Sequence, residues 1–382
     1  MKTKLRLVLS IPIFLLSFCS FSQETSGLWE RDNAIQLRRT ASGELLKPQE
    51  GSGFTLDEMG MRRALEELNG NPGSAKRMYF PDSRGELQPY LVRERSVMAP
   101  ELQERYPEIR SYLGVSPENP ARRIRFSMSP SGFQGMVSEP GREASGFLEK
   151  VPGSGARYLL YRRDQKEALP SAWKCGTRAY REFAKPASSR AAKLVDDQLL
   201  RTYRLAVATT GEYAEYHGGT VGSALSAVNA TLTRINEVFE TDLAISLVLV
   251  AGNDQVIYTD PSTDPFGGNF SSEVQTTLDA QIGSANYDIG HLFHRGSEAG
   301  NAGFIGAVCS ENRKGSAYAA TPTPEGDRFD LDFVAHEMGH QFGANHTWSF
   351  DSEGSGVQAE PASGTTIMGL SLIHISEPTR PY

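Results

Sequence analysis

His336, Glu337, His340, Gly343 and His346 stand in the order H-E-x-x-H-x-x-G-x-x-H, and residues of these types at these intervals are the parts of a zinc site that activates water. At background frequencies of His, Gly and Glu the five positions would coincide in a chain this long with a probability on the order of 1 in 100,000, so chance does not account for them. On a helix, His336 and His340 project from one face, where both imidazoles can take corners of a zinc tetrahedron at about 2.0–2.1 Å. Glu337 is out of line for a third ligand. Its carboxylate can instead hold the attacking water, accept its proton and pass that proton to the leaving amine of a peptide. Gly343 can end the helix in a left-handed conformation that costs a residue with a side chain about 1–2 kcal/mol. The turned chain then brings His346 in from outside the helix as the third ligand, and the fourth position remains for water or substrate.

Such a site needs a buried helix. Phe329, Leu331, Phe333, Val334 and Ala335 supply an apolar lead into the motif, so the helix begins near Asp332. Met368 lies 22 residues beyond His346 in the small-residue stretch Ser363 to Gly369, where a lone methionine ordinarily fills a gap in a core. Upstream, Thr202 to Thr209 alternates as a strand, and Val221 to Phe239 places apolar residues at three- and four-residue steps as an amphipathic helix. Leu243 to Ala251 reads as a buried strand, Tyr287 to Phe293 as another, and Gly303 to Cys309 as a further one. Strand, helix, strands and helix describe a small α/β sheet with the active-site helix at its lower face. His291 and His294 lie far from the motif and read as satisfied strand or loop histidines.

Composition sets the context. Residues 1–22 carry Lys2, Lys4 and Arg6, an apolar stretch from Leu7 to Phe18, and small residues before Gln23, the parts of a secretory signal peptide. No later segment is long and apolar enough for stable membrane insertion. Three cysteines in 382 residues exclude a disulfide scaffold, so stability must come from a packed core. Residues 24–199 hold 28 Lys and Arg against 24 Asp and Glu, whereas residues 200–369 hold 7 against 21. The acidic half would repel phosphate, so no nucleic-acid partner is expected. The basic half, 23–199, reads as a loosely built propeptide that docks on the acidic half, 200–369, and inhibits it from within the same chain; a separate accessory domain is the alternative. Cleavage between the two is expected in the hydrophilic stretch Ser188 to Arg201. Residues 370–382 read as the translation of a sequencing adapter, so the second half is expected to be truncated and His374 is no ligand candidate. The sequons at Asn229, Asn269 and Asn345 read as coincidental.

The zinc run, the Met368 turn, and the stretches Thr202 to Tyr213 and Tyr287 to His291 together resemble the reprolysin-like branch of the metzincins, close to its bacterial secreted members, over roughly residues 200–369. The resemblance implies an α/β metzincin-like fold with a twisted, mostly parallel sheet, an active-site helix and a Met-turn. It also implies a zinc metalloendopeptidase, secreted as a zymogen, acting on protein or peptide substrates. Within it His336, His340 and His346 would bind Zn2+, Glu337 would be the base and Met368 would lie below the metal. Related zymogens often place a propeptide cysteine on the zinc, and Cys175 in Lys174-Cys175-Gly176-Thr177 lies on the propeptide side. A thiolate there would take the fourth position; the alternatives are an inert thiol or a transient disulfide with Cys309. Cys309 resembles a family cysteine whose partner lies beyond the Met-turn, and no such partner follows here. A catalytically idle, zinc-stabilised binding or adhesion module is the rival reading, against which Glu337 argues, because a purely structural site needs no water-activating carboxylate.

Overall fold

A computed structural model describes residues 27–33, 39–46, 51–139, 144–166, 175–177, 198–347 and 366–369. The expected signal segment, most of the processing stretch and the adapter-like end lie outside the described residues.

Alternation at period two builds the first unit. Its strands are β1 Trp29–Arg31, β2 Ser52–Leu56, β3 Lys76–Pro81, β4 Leu87–Glu94, β5 Arg110–Val115, β6 Arg123–Ser129, β7 Gly132–Ser138, β8 Gly146–Lys150 and β9 Arg157–Arg162, with helices α1 Glu58–Glu66 and α2 Pro100–Arg105 between them. They form one antiparallel sheet in the order β1-β2-β9-β8-β7-β6-β5-β4-β3. Trp29 and Phe80 come from opposite edges yet have ring centroids 6.5 Å apart, so the sheet curls around a core of its own. That core holds Phe54, Phe126, Phe133, Leu148 and Tyr158, with Met61 and Leu65 from α1.

The expectation of a loosely built first half is therefore wrong. On β6, Ile124, Phe126 and Met128 face the curled core, while Arg125 and Ser127 alternate to the other face and are just as buried. The second unit covers that outer face, so its polar residues need no solvent, and the strand pattern reads as weak although both faces are packed.

The second unit contains β10 Arg201–Thr209, α3 Gly211–Tyr216, α4 Val221–Asp242, β11 Ile245–Leu249, α5 Phe270–Leu278, β12 Ile289–Arg295, β13 Ala299–Asn301 and β14 Ala317–Thr321. The sheet order is β11-β10-β12-β14-β13; the first four strands are parallel, and β13 runs antiparallel to β14 at the edge. This is the mostly parallel sheet expected. No strand forms over 303–309, because Gly303, Gly306 and Cys309 take φ of 71°, 70° and 60°, a left-handed geometry that breaks an extended run. Arg328–Ala335 is wound as a π-helix and runs directly into α6, His336–Gln341, so the helix that carries the histidine motif starts earlier than Asp332.

Helix α4 joins the two units. Thr220 caps it, with Oγ1 accepting the Ser223 N–H at 3.1 Å. Its apolar stripe of Leu225, Val228, Leu232, Ile235 and Phe239 enters a core that also holds Met98, Phe147 and Tyr161 of the first unit. Its opposite face is equally enclosed: Ser111 of β5 meets Asn229 and Thr233, and Ser138 of β7 donates to Glu237 Oε1 at 2.6 Å. The buried Asn229 can carry no glycan there. Opposite charges meet across the same boundary. Arg125 places both terminal nitrogens 2.9 Å from Glu240, Arg105 pairs with Asp254, and Arg163 and Lys166 pair with Asp327. Among the described residues no helix is long and apolar enough to cross a membrane.

Candidate metal centre

Helix α6 carries His336, Glu337 and His340, and all three are fully buried. Gly343 follows at φ 105°. A Cβ there would meet nothing within 4 Å, so this position needs glycine for its conformation and not for space. The turn it makes returns the chain so that His346 faces the helix. The three Nε2 atoms then stand 3.0–3.1 Å from one another.

Backbone carbonyls fix the rings. His336 Nδ1 donates to Ile367 O at 2.6 Å and His340 Nδ1 to Ala344 O at 2.8 Å, which leaves the Nε2 lone pairs of those two rings pointing inward. Burial lowers His336 far below its usual range and pushes His340 and His346 down to about 4, so the rings are neutral donors near pH 7. Lone pairs this close repel unless a cation lies between them. Ligands at about 2.0–2.1 Å around a tetrahedral ion would be roughly 3.3 Å apart, so the donor set fits zinc.

Below the helix, a Cβ built on Gly339 would lie 2.5 Å from Met368 Sδ. The small residue in α6 therefore lets the Met368 turn pack directly against it, and the same turn supplies the Ile367 carbonyl that orients His336.

Glu337 sits on the other side. Its Oε2 accepts a hydrogen bond from Thr177 Oγ1 at 2.9 Å, and burial pushes its carboxyl up to about 8. A Cβ on Gly300 of β13 would collide with Glu337 Oε1, so the edge strand passes this carboxylate only because it is glycine there.

Cys175 enters from the first unit's side and pairs in parallel with Gly300, the Gly176 N–H donating to Gly300 O at 2.7 Å. Its Sγ lies 3.6 Å from His340 Nε2, and the four candidate ligand atoms of Cys175, His336, His340 and His346 lie within 4.8 Å of one another. Burial first, and the nearby Glu337 second, raise the thiol above its usual range; a divalent cation among these ligands would reverse that direction. Cys175 and Cys309 are both free, and Cys309 is exposed, with its N–H on Asp288 O.

The fold thus gathers His336, Glu337, His340, His346, Met368 and Cys175 in one place. His291 and His294 are not among the gathered nitrogens, but His291 is not far from the motif: it is buried 3.3 Å from Gln341 Oε1 with its Nε2 unpartnered, while His294 lies 3.0 Å from Thr210 Oγ1. Thr177 and Gly300 did not emerge from the sequence, nor did the two carbonyls. For Thr177 a signal existed. In an extended segment the residue two after Cys175 shares its side, so a ligand at 175 brings the side chain at 177 to the same cleft.

A search among curated proteins returned no match. Residues 200–377 match a protein family described as metallo-peptidase family M12B, reprolysin-like.

Proposed function

From the match of residues 200–377 to the reprolysin-like metallo-peptidase family M12B, we propose that the chain is a zinc-dependent endopeptidase, secreted as a zymogen whose residues 23–199 are the propeptide. The observation that carries this reading is the convergence of three neutral imidazole nitrogens beside one fully buried carboxylate. Zinc held by His336, His340 and His346 would polarise a peptide carbonyl and acidify water.

The remaining work falls to the chain. Glu337 takes a proton from the attacking water on a carboxylate oxygen and returns it to the leaving amine. Burial pushes this carboxyl up, and a cation held by the three imidazoles would act in the opposite direction and favour the ionised base. Ala344 O and Ile367 O hold the imidazole tautomers, and Met368 backs the helix that carries them. Latency comes from Cys175, whose sulfur reaches the face where water or substrate would bind. A zinc-stabilised module without turnover would have no use for a buried carboxylate at this point, and no observation favours it.

The test is chelator-sensitive cleavage of a mixed peptide library after the propeptide has been cut and separated from the rest of the chain. Wild type should cleave. Glu337→Ala should lose on the order of 10²–10⁴ in rate while keeping zinc, whereas His336→Ala, His340→Ala and His346→Ala should each lose zinc by metal analysis. Equal cleavage by wild type and Glu337→Ala would end the assignment. Separately, Cys175→Ser should give a less latent precursor, and unchanged latency would remove Cys175 from the mechanism.

A further inference from the structure

We propose that Thr177 is a second bolt on the site, holding the acid–base carboxylate while Cys175 covers the metal face. The proposal rests on the roles just given to Glu337 and Cys175, and extends them to how the precursor is kept silent.

The geometry is specific. Thr177 is buried, and its hydroxyl makes two bonds: Oγ1 accepts the Ala302 N–H at 2.7 Å and donates to Glu337 Oε2 at 2.9 Å. Once the Ala302 bond is made, the single hydroxyl proton is aimed at the carboxylate. An attacking water must donate its proton to that same carboxylate, so the hydroxyl takes the place of the substrate water with a group whose proton is far too weakly acidic to transfer. Thr177 is therefore a mimic of the bound nucleophile that cannot react.

The segment is built to deliver both groups together. Cys175 and Thr177 are two apart in an extended stretch and face the same side. Gly176 between them lies against β13, where a Cβ would come within 3.0 Å of Asn301 Nδ2 and 3.1 Å of Gly300 O. A larger residue would have to push Asn301 or the Gly300 carbonyl back by a few tenths of an ångström. Cys175 Sγ also accepts the Thr177 N–H at 3.4 Å, which ties the two bolts to each other. Cys175 also lies beside Glu337, but the hydroxyl bonded to Oε2 comes from Thr177. The pair engages the metal-facing and proton-accepting halves of water activation at once.

The experiment uses the full-length, zinc-loaded precursor as wild type, Thr177→Val, Thr177→Ser, Cys175→Ser and the Cys175→Ser/Thr177→Val double variant. Valine keeps the shape without the hydroxyl, and serine keeps the hydroxyl. Three quantities are read: the rate at which iodoacetamide alkylates Cys175, hydrogen exchange at the Ala302 amide, and peptide cleavage by the uncut precursor. In Thr177→Val, alkylation and Ala302 exchange should each rise at least tenfold and cleavage should rise above wild type. Thr177→Ser should stay within about threefold of wild type, since the hydroxyl hydrogen bond is retained. The double variant should leak more than Cys175→Ser. Wild-type alkylation and exchange in Thr177→Val, or a Thr177→Ser variant that behaves like valine, would overturn the proposal. Failure of the peptidase reading would show elsewhere, as an inactive processed wild type, while the alkylation and exchange rates would still report on the Thr177 bond.

Discussion

Two glycines of the motif act for different physical reasons. Gly343 has open space where a side chain would go but a backbone at φ 105°, so Gly343→Ala should cost about 1–2 kcal/mol through conformation alone. Gly339 is in ordinary helical backbone but has Met368 Sδ in the place of its Cβ. Gly339→Ala should therefore cost about 1–3 kcal/mol by overpacking, and Gly339→Ala/Met368→Ala should recover part of it, whereas Met368→Ala should not rescue Gly343→Ala. Thermal melts of the four variants separate the two mechanisms. Gly343 was legible in the sequence because its requirement is local and follows from where the helix must end. Gly339 was not, because the residue it makes room for comes from a turn that only the fold brings beneath it.

At the scale of elements, β12 and α6 are joined by Gln341, whose Nε2 donates to Gly290 O at 3.0 Å and to Lys314 O at 3.2 Å while its Oε1 faces His291 Nδ1. Burial holds His291 neutral and pushes it down to about 4. A lowered histidine supports the fold fully above its ordinary value near 6.5, and that support is lost as pH falls through the folded value. The loss should be on the order of 3 kcal/mol between pH 6.5 and 4. His291→Phe should flatten this part of the stability profile, at the cost of one hydrogen bond worth about 1 kcal/mol at neutral pH; an unchanged slope in pH-dependent melting would refute the assignment. Strand β10 and helix α4 were readable because their apolar residues repeat at periods of two and about three and a half, and β11 because it sits in a nearly continuous apolar run. The apolar stretch at 303–309 misled, since composition does not reveal three left-handed residues. The first sheet was hidden for the opposite reason: Arg125, Ser127 and Ser111 are buried by a partner that no local pattern announces.

For the whole molecule, the charge contrast between the halves becomes a set of enclosed ion pairs over a shared apolar core. Arg125 is fully buried with Glu240, and removing one member of such a pair costs about 3–5 kcal/mol, because the other is left charged in a poor solvent. After cleavage in the Ser188 to Arg201 stretch, the wild-type halves should still co-elute in size-exclusion chromatography. Those of Arg125→Ala should separate, with a dissociation constant raised by more than about 100-fold. The arrangement of strands also fixes a schedule. Strands β3 to β9 each pair with their neighbour in sequence, whereas β10 must wait for β12 across a helical crossover and β12 for β14 across β13 and a long loop. A growing chain thus has its antiparallel sheet ready, with Arg125 in place, before the ribosome has made the helix that will bear Glu240. The basic half is a mould present before its casting, and pulse-labelled hydrogen exchange during refolding should find β5 to β8 protected ahead of β10 to β14.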